Sequence, residues 1–220
     1  QSIYQVSPAK FNYIYFKQKY KLNASNELLI KDHYKKDEEL INNAGSFVTY
    51  AMAYSEKNKN AFKGELLFIE QLVEACSVLN MCLFIKPKPF GSGNAINKKF
   101  ESYEKVIVGR SPLFAMGLDL ISQNYNNYRK NILSKTELLV DCGSTFMLDA
   151  AIYKCSVVKL LLDFDGLSNA FDATRNNPHL KHLDSVSYKY NGDTLKLTEL
   201  LKDYSKYDVS KELREWIYRW

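Results

Sequence analysis

The segment Val157–Gly166 (VVKLLLDFDG) constrains the fold of this chain more than any other. An apolar, β-branched-rich run stops at two carboxylates one residue apart, which a glycine follows. Such a run is typical of a buried strand, and residues i and i+2 of a strand point to the same face. Asp163 and Asp165 can therefore reach one cation at the carboxyl end of the strand, where hard oxygen ligands suit Mg²⁺. The alternative is structural, with Asp163 capping a helix near Gly166 and Asp165 shaping the turn.

Other short apolar runs alternate with helical patterns after this chain's midpoint. Strand candidates that alternate with helix candidates predict βαβ units and a mainly parallel sheet. We therefore expect an α/β fold, with a mainly parallel sheet flanked by helices in residues ~101–220. The strand candidates are Val106–Val108, Leu138–Val140, Val157–Phe164 and Ser185–Tyr190, and the helix candidates are Leu113–Ile121, Thr145–Tyr153, Thr198–Tyr204 and Ser210–Trp220.

The first part of the chain gives a different pattern. Apolar residues recur at helical spacing over Ala61–Leu79, and Ser46–Tyr50 and Met81–Ile85 are short β-prone pieces. Prolines, glycines and lysines then concentrate after residue 86, which is typical of a loop. The sequence thus predicts a mostly helical region over 1–86, a basic Gly/Pro loop or linker over 87–104, and an α/β domain over 105–220.

Composition limits which cellular compartment and which kinds of partner we expect for this protein. No apolar run approaches 18 residues, so we expect no membrane partner, and no signal-peptide pattern opens the chain. The four cysteines lie in apolar surroundings without C-x-x-C spacing, which favours reduced thiols over zinc or disulfides. We expect a cytoplasmic or nuclear protein that is not secreted. The net charge of +5 permits an acidic partner such as nucleic acid without requiring one.

The order of elements from Val106 onward resembles a TOPRIM domain, the metal-dependent α/β module of bacterial-type primases and topoisomerases. In that family one strand ends in a glutamate and a later strand ends in Asp-x-Asp. Leu160–Ala170 resembles the second motif, with Ser168 in place of the usual glycine, and Val106–Leu113 resembles the first, with Arg110 near the place of the glutamate. The resemblance implies Asp163 and Asp165 as metal ligands in a degenerate site, since the expected acid/base is missing.

Basic residues around the predicted loop are candidates for contacts with phosphate, because glycine lets a backbone approach closely and lysine neutralises charge. The candidates are Lys86, Lys88, Lys98, Lys99 and Arg110. The sixteen tyrosines, several of them beside lysines, add faces on which bases can stack. The turn Asp141–Thr145 predicts a tight strand-to-helix connection whose N–H groups can also receive a phosphate.

Two alternatives stay open beside the leading expectation, which is an intracellular nucleic-acid- or nucleotide-handling protein with Mg²⁺-dependent phosphoryl chemistry at Asp163 and Asp165. Arg175-Asn176 with His182 resembles the signature of HEPN ribonucleases, which implies metal-independent RNA cleavage and an all-helical bundle. The other alternative is a non-catalytic binding or assembly protein of viral or mobile-element type. Trp216 and Trp220 lie at i, i+4 near the chain end, and this spacing predicts docking onto the body of the protein or onto a partner.

Overall fold

The computed structural model describes residues 24–54, 56–57, 59–88, 93–113, 122–162, 183 and 185–219. Seven α-helices, six strands and one 3₁₀ turn lie within these ranges. The helices are α1 (Ala24–Asn43), α2 (Lys59–Val78), α3 (Gly93–Phe100), α4 (Gln123–Lys135), α5 (Phe146–Ile152), α6 (Thr194–Lys202) and α7 (Ser210–Arg219). The strands are β1 (Phe47–Ala51), β2 (Leu83–Lys86), β3 (Val106–Val108), β4 (Thr136–Asp141), β5 (Ser156–Leu162) and β6 (Tyr188–Tyr190).

The six strands form one sheet in the order β3-β2-β1-β4-β5-β6. Every pair of neighbouring strands is parallel. The first strand in the sequence, β1, lies in the middle of the sheet. Strands β2 and β3 follow it on one side, and β4, β5 and β6 lie in that order on the other side. The predicted α/β class with a mainly parallel sheet is confirmed, and the strand order reverses between β1 and β4.

Helices cover both faces of the sheet, which explains why the strands read as near-continuous apolar runs. One buried cluster joins α2, α3 and α6 to side chains such as Tyr50 and Leu160. The second joins α1, α4, α5 and α7 to side chains such as Phe84 and Leu139 on the opposite face. All five residues of β1 are buried, as expected for the central strand of a sheet with two covered faces.

The sheet takes strands from both sides of the segment 87–104. β1 and β2 come from the region that the sequence predicts to be mostly helical, and they occupy the centre of the sheet. Residues 93–100, inside the predicted linker, form α3, whose Ile96 and Phe100 are fully buried. The segment therefore connects neighbouring strands β2 and β3 as a βαβ crossover, so the predicted boundary falls inside one sheet-forming unit.

Candidate ligand site at the carboxyl edge of the sheet

The strand order indicates the part of the molecule where folds of this kind bind ligands. In open parallel sheets, ligands bind outside the carboxyl ends of the strands, at the point where the strand order reverses. Here that point lies between β1 and β4. Residues 52–54 follow β1, residues 87–88 follow β2 and residues 142–144 follow β4, so these three segments meet at one edge.

A row of four residues crosses the sheet at this edge. Ala51 is in register with Lys86 on one side and with Asp141 on the other, and Asp141 is in register with Lys159. Residues in register on neighbouring strands share a face of the sheet. The row therefore places a cation, a methyl group, a carboxylate and a second cation side by side on one face.

Asp141 is fully buried and accepts hydrogen bonds from the turn that follows it. Its Oδ1 accepts the N–H groups of Gly143 at 2.6 Å and Ser144 at 2.5 Å, and its Oδ2 accepts the Ser144 hydroxyl. Burial raises the pKa of Asp141 to about 6, although these bonds and the nearby Lys86 act in the opposite direction. The predicted strand-to-helix turn is confirmed, and its N–H groups bind the protein's own carboxylate.

Lys86 is half-buried at the end of β2. Its Nζ lies 4.8 Å from the centre of the Phe146 ring at the start of α5. Burial lowers the pKa of Lys86 to about 8, whereas Asp141 and Asp149 favour the charged form. Asp149 is itself paired, because its Oδ2 lies 3.0 Å from the Nη1 atom of Arg129.

Glu65, on α2, organises the opposite side of the same edge. Its carboxylate is fully buried and accepts the Tyr50 hydroxyl at 2.8 Å and the N–H groups of Ala53 at 2.7 Å and Tyr54 at 3.0 Å. Burial raises the pKa of Glu65 to about 7 against these bonds. The Tyr50 hydroxyl also lies 3.8 Å from the Cys142 sulfur, so the network links β1, α2 and the segment after β4.

Four predicted site residues, Asp163, Asp165, Arg175 and His182, lie outside the described residues. The strand that precedes the aspartates is described, and β5 ends at Leu162. In the part of the chain that is described, no group of three or more His, Cys, Asp or Glu side chains is placed to hold a metal ion.

Most of the predicted phosphate-binding residues contact other parts of the protein. Lys88 donates to the Ala53 carbonyl at 2.5 Å, and Lys99 forms an ion pair with Glu70 at 2.8 Å. Lys98 is exposed on α3. Of the five predicted cations, Lys86 alone lies in the row at the switch point, so the five do not form one basic surface.

Arg110 follows β3 at the edge of the sheet and binds a buried carboxylate of α1. Its N–H donates to Asp37 at 2.6 Å, and its Nε lies 3.5 Å from the same carboxylate. Strands β3 and β5 are four positions apart in the sheet, which corresponds to about 19 Å at about 4.8 Å per strand. Arg110 is therefore remote from the end of β5, which the TOPRIM resemblance places in the same motif set.

The fold also bears on the HEPN resemblance and on the pair of tryptophans near the chain end. The HEPN signature implies an all-helical bundle, whereas the chain forms a six-stranded parallel sheet. Helix α7, which carries Trp216, packs against the body of the protein through the buried Leu213 and the partly buried Ile217. Trp220 lies outside the described residues. No helix among those described has both the length and the apolar character needed to cross a bilayer.

No family model matches the sequence, and no curated protein matches it. Among solved structures, UDP-GlcNAc 2-epimerase of Methanocaldococcus jannaschii, solved in complex with UDP-GlcNAc and UDP, is similar to 80% of this chain with a TM-score of 0.46 and 13% sequence identity. The match spans 43% of that protein's chain, less than half of its length. By its own strand order, this chain is a doubly wound α/β protein of the Rossmann type.

Proposed function

We propose that this chain binds a nucleotide at the carboxyl edge of its sheet and carries out Mg²⁺-dependent phosphoryl transfer or hydrolysis there, with Asp163 and Asp165 as the metal ligands. One observation carries the proposal. Strand β5 pairs with β4 beside the switch point, with Lys159 in register with Asp141, and it ends at Leu162 on the carboxyl side of that row. Asp163 follows Leu162 in the sequence.

The chemistry follows from the residue types at that edge. Asp163 and Asp165 would hold the Mg²⁺, which would supply a positive charge that polarises a phosphoryl oxygen and positions a water near phosphorus. In hydrolysis the new P–O bond forms to this water as the bond to the leaving oxygen breaks. The proton of the water ends on the leaving group or in solvent. A cation such as Lys86 offsets the charge of the phosphate.

A nucleotide is favoured over a polynucleotide as the ligand. Lys88, Lys99 and Arg110 each bind another part of this chain, so these cations do not form a track for a nucleic-acid backbone. The polynucleotide alternative predicts binding that weakens steeply with salt. Retention of single-stranded RNA or DNA at low salt but not at high salt, with no response to nucleotides, would favour the alternative.

The test is a melting experiment with Mg²⁺ alone, ADP alone and both together. We expect ADP to raise the melting temperature, Mg²⁺ to increase that shift, and Asp163→Asn to remove the increase. Asp32→Asn, a change at an exposed aspartate of α1, is the matched control and should behave as the wild type. A wild type that responds to neither ligand contradicts the proposal. A nucleotide response without turnover would favour the non-catalytic binding protein.

A further inference from the structure

We propose that Lys86 binds the terminal phosphate of the ligand through its side-chain amine, in place of the backbone N–H groups that usually bind phosphate in folds of this kind. The identity of the ligand as a nucleotide rests on the proposed function. The position of the anion site rests on three features of this edge: the hydrogen bonds of the turn after β1, those of the turn after β4, and the surroundings of Lys86.

Two N–H groups of the turn after β1 are engaged within the protein and do not donate to a phosphate in this arrangement. Doubly wound domains commonly bind phosphate with the N–H groups at the end of β1 and the start of the next helix. Here the N–H groups of Ala53 and Tyr54 donate to the buried carboxylate of Glu65. The protein supplies its own anion where a ligand phosphate would otherwise lie.

The turn after β4, on the other side of the switch point, is engaged in the same way. The N–H groups of Gly143 and Ser144 donate to Asp141, and the Phe146 N–H donates to the Ser144 hydroxyl at 3.2 Å. Both strand ends that flank the switch point therefore commit two N–H groups each to a carboxylate of the protein itself. A ligand phosphate needs another source of positive charge at this edge.

Lys86 supplies that charge. Both carboxylates that act on its charge have other partners, since Asp141 accepts three hydrogen bonds and Asp149 pairs with Arg129. Lys86 forms no ion pair with any residue that the structure describes. A half-buried cation without a direct anionic partner is unfavourable, and a phosphate would relieve that cost.

The same geometry selects among phosphate ligands. A terminal phosphate carries up to two charges and needs only a point cation, whereas the internal pyrophosphate of a dinucleotide carries one charge per phosphate and suits an extended set of N–H donors. The Ala51 methyl group, between Lys86 and Asp141 in the row, provides no donor. We therefore expect ADP and similar nucleotides to bind in preference to NAD⁺.

The experiment measures ADP and NAD⁺ affinity by calorimetry at about pH 7 with EDTA present, so that metal ligation plays no part. We expect Lys86→Met to weaken ADP binding at least tenfold, in the range for loss of a charge-assisted hydrogen bond. Lys86→Arg should keep most of the affinity, and Lys202→Met, at an exposed lysine at the end of α6, should keep all of it. Wild-type affinity for NAD⁺ should be at least tenfold below that for ADP.

The outcomes separate this inference from the proposed function. Unchanged ADP affinity in Lys86→Met, with a melting temperature like that of the wild type, overturns the role of Lys86 and leaves the nucleotide function standing. NAD⁺ binding as tight as ADP overturns the terminal-phosphate preference. If the wild type binds inorganic phosphate through Lys86 but no nucleotide, the proposed function fails alone. If it binds neither, both fail.

Discussion

Glu65 and Lys88 hold the same residue from opposite sides. Glu65 accepts the Ala53 N–H at 2.7 Å, and the Lys88 Nζ donates to the Ala53 carbonyl at 2.5 Å. A carboxylate from α2 and an ammonium group from the segment after β2 thus fix the backbone that follows β1. The turn at the switch point is positioned by charged side chains.

Removal of Glu65 should destabilise the protein strongly. Glu65→Ala leaves the N–H groups of Ala53 and Tyr54 and the Tyr50 hydroxyl without their acceptor, and it opens a cavity in the core. We expect a loss of about 3 kcal/mol in the free energy of unfolding, measured by urea denaturation. Glu70→Ala, which breaks a partly exposed ion pair with Lys99, should cost below about 1 kcal/mol. Equal losses in both variants would contradict the role of Glu65.

Stability should fall as the pH rises from about 5 to about 7. The folded protein holds protons more tightly than the unfolded chain on Glu65, whose pKa is raised from 4.5 to about 7, and on Asp141, whose pKa is raised from 3.8 to about 6. Each group thus contributes stability that is present at low pH and lost as the pH rises through its folded pKa.

The check is urea unfolding of the wild type and Glu65→Gln at about pH 5.5 and pH 7.5. The variant lacks the titrating group, so it should lose less stability across this interval than the wild type does. Asp141→Asn should act in the same direction, with a smaller effect confined to the lower part of this interval, because the pKa of Asp141 is raised only to about 6. Parallel pH profiles for all three proteins would show that these groups titrate alike in the folded and unfolded states.

Gly109, just after β3, should not tolerate a side chain. A Cβ there would lie 2.6 Å from the Phe84 ring and 3.0 Å from the Tyr128 hydroxyl. We expect Gly109→Ala to lower the free energy of unfolding by about 2 kcal/mol through overpacking. Phe84→Leu in the same chain should recover part of the loss, because it removes the closest ring atom.

Gly45 provides the contrast for that experiment. No atom lies within 4 Å of a Cβ built there, but its φ is +70°. Gly45→Ala should therefore cost about 1 kcal/mol through backbone strain, and no change in Phe84 should recover it. Rescue of both glycine variants by Phe84→Leu would contradict the clash at Gly109.

The contact between Asp37 and Arg110 should matter for stability and not for ligand affinity. Asp37 is buried and accepts the Arg110 N–H at 2.6 Å and the Tyr128 hydroxyl at 2.9 Å. We expect Asp37→Ala to cost about 3 kcal/mol, because it leaves buried donors unpaired. Arg110→Met should bind ADP as the wild type does in the calorimetric assay. A loss of ADP affinity in Arg110→Met comparable with that of Lys86→Met would place Arg110 in the ligand site.

The strands were predictable because their signal is local. β3, β4 and β5 are apolar runs bounded by turn residues, and β1 shows β-branched and aromatic residues. The order of the strands was not predictable, because parallel pairing joins segments such as Val48 and Leu138 that lie far apart in the sequence. The central position of β1 and β2 follows from that pairing, which no short window of sequence contains.

The site was partly predictable. Asp141 and Lys86 stand at strand ends, where sequence reasoning looks for ligand contacts. Glu65 was missed, although a signal was available: it lies three residues after Phe62 and four before Ile69, on the apolar face of α2. Lys159, a lysine inside an apolar strand, carries a similar signal and is fully buried. A charge at a position that the periodicity assigns to the core indicates a buried polar contact.

The row that joins Lys86, Ala51 and Asp141 makes the site sensitive to chain length. Because successive strand residues alternate between faces, one residue inserted or deleted within β4 would send Asp141 to the side covered by α2 and bring an aliphatic neighbour next to Ala51. Changes in the connections between strands leave that alignment intact. Sequences descended from a common ancestor with this chain should accordingly vary in length between strands and keep the spacing from Thr136 to Asp141 unaltered.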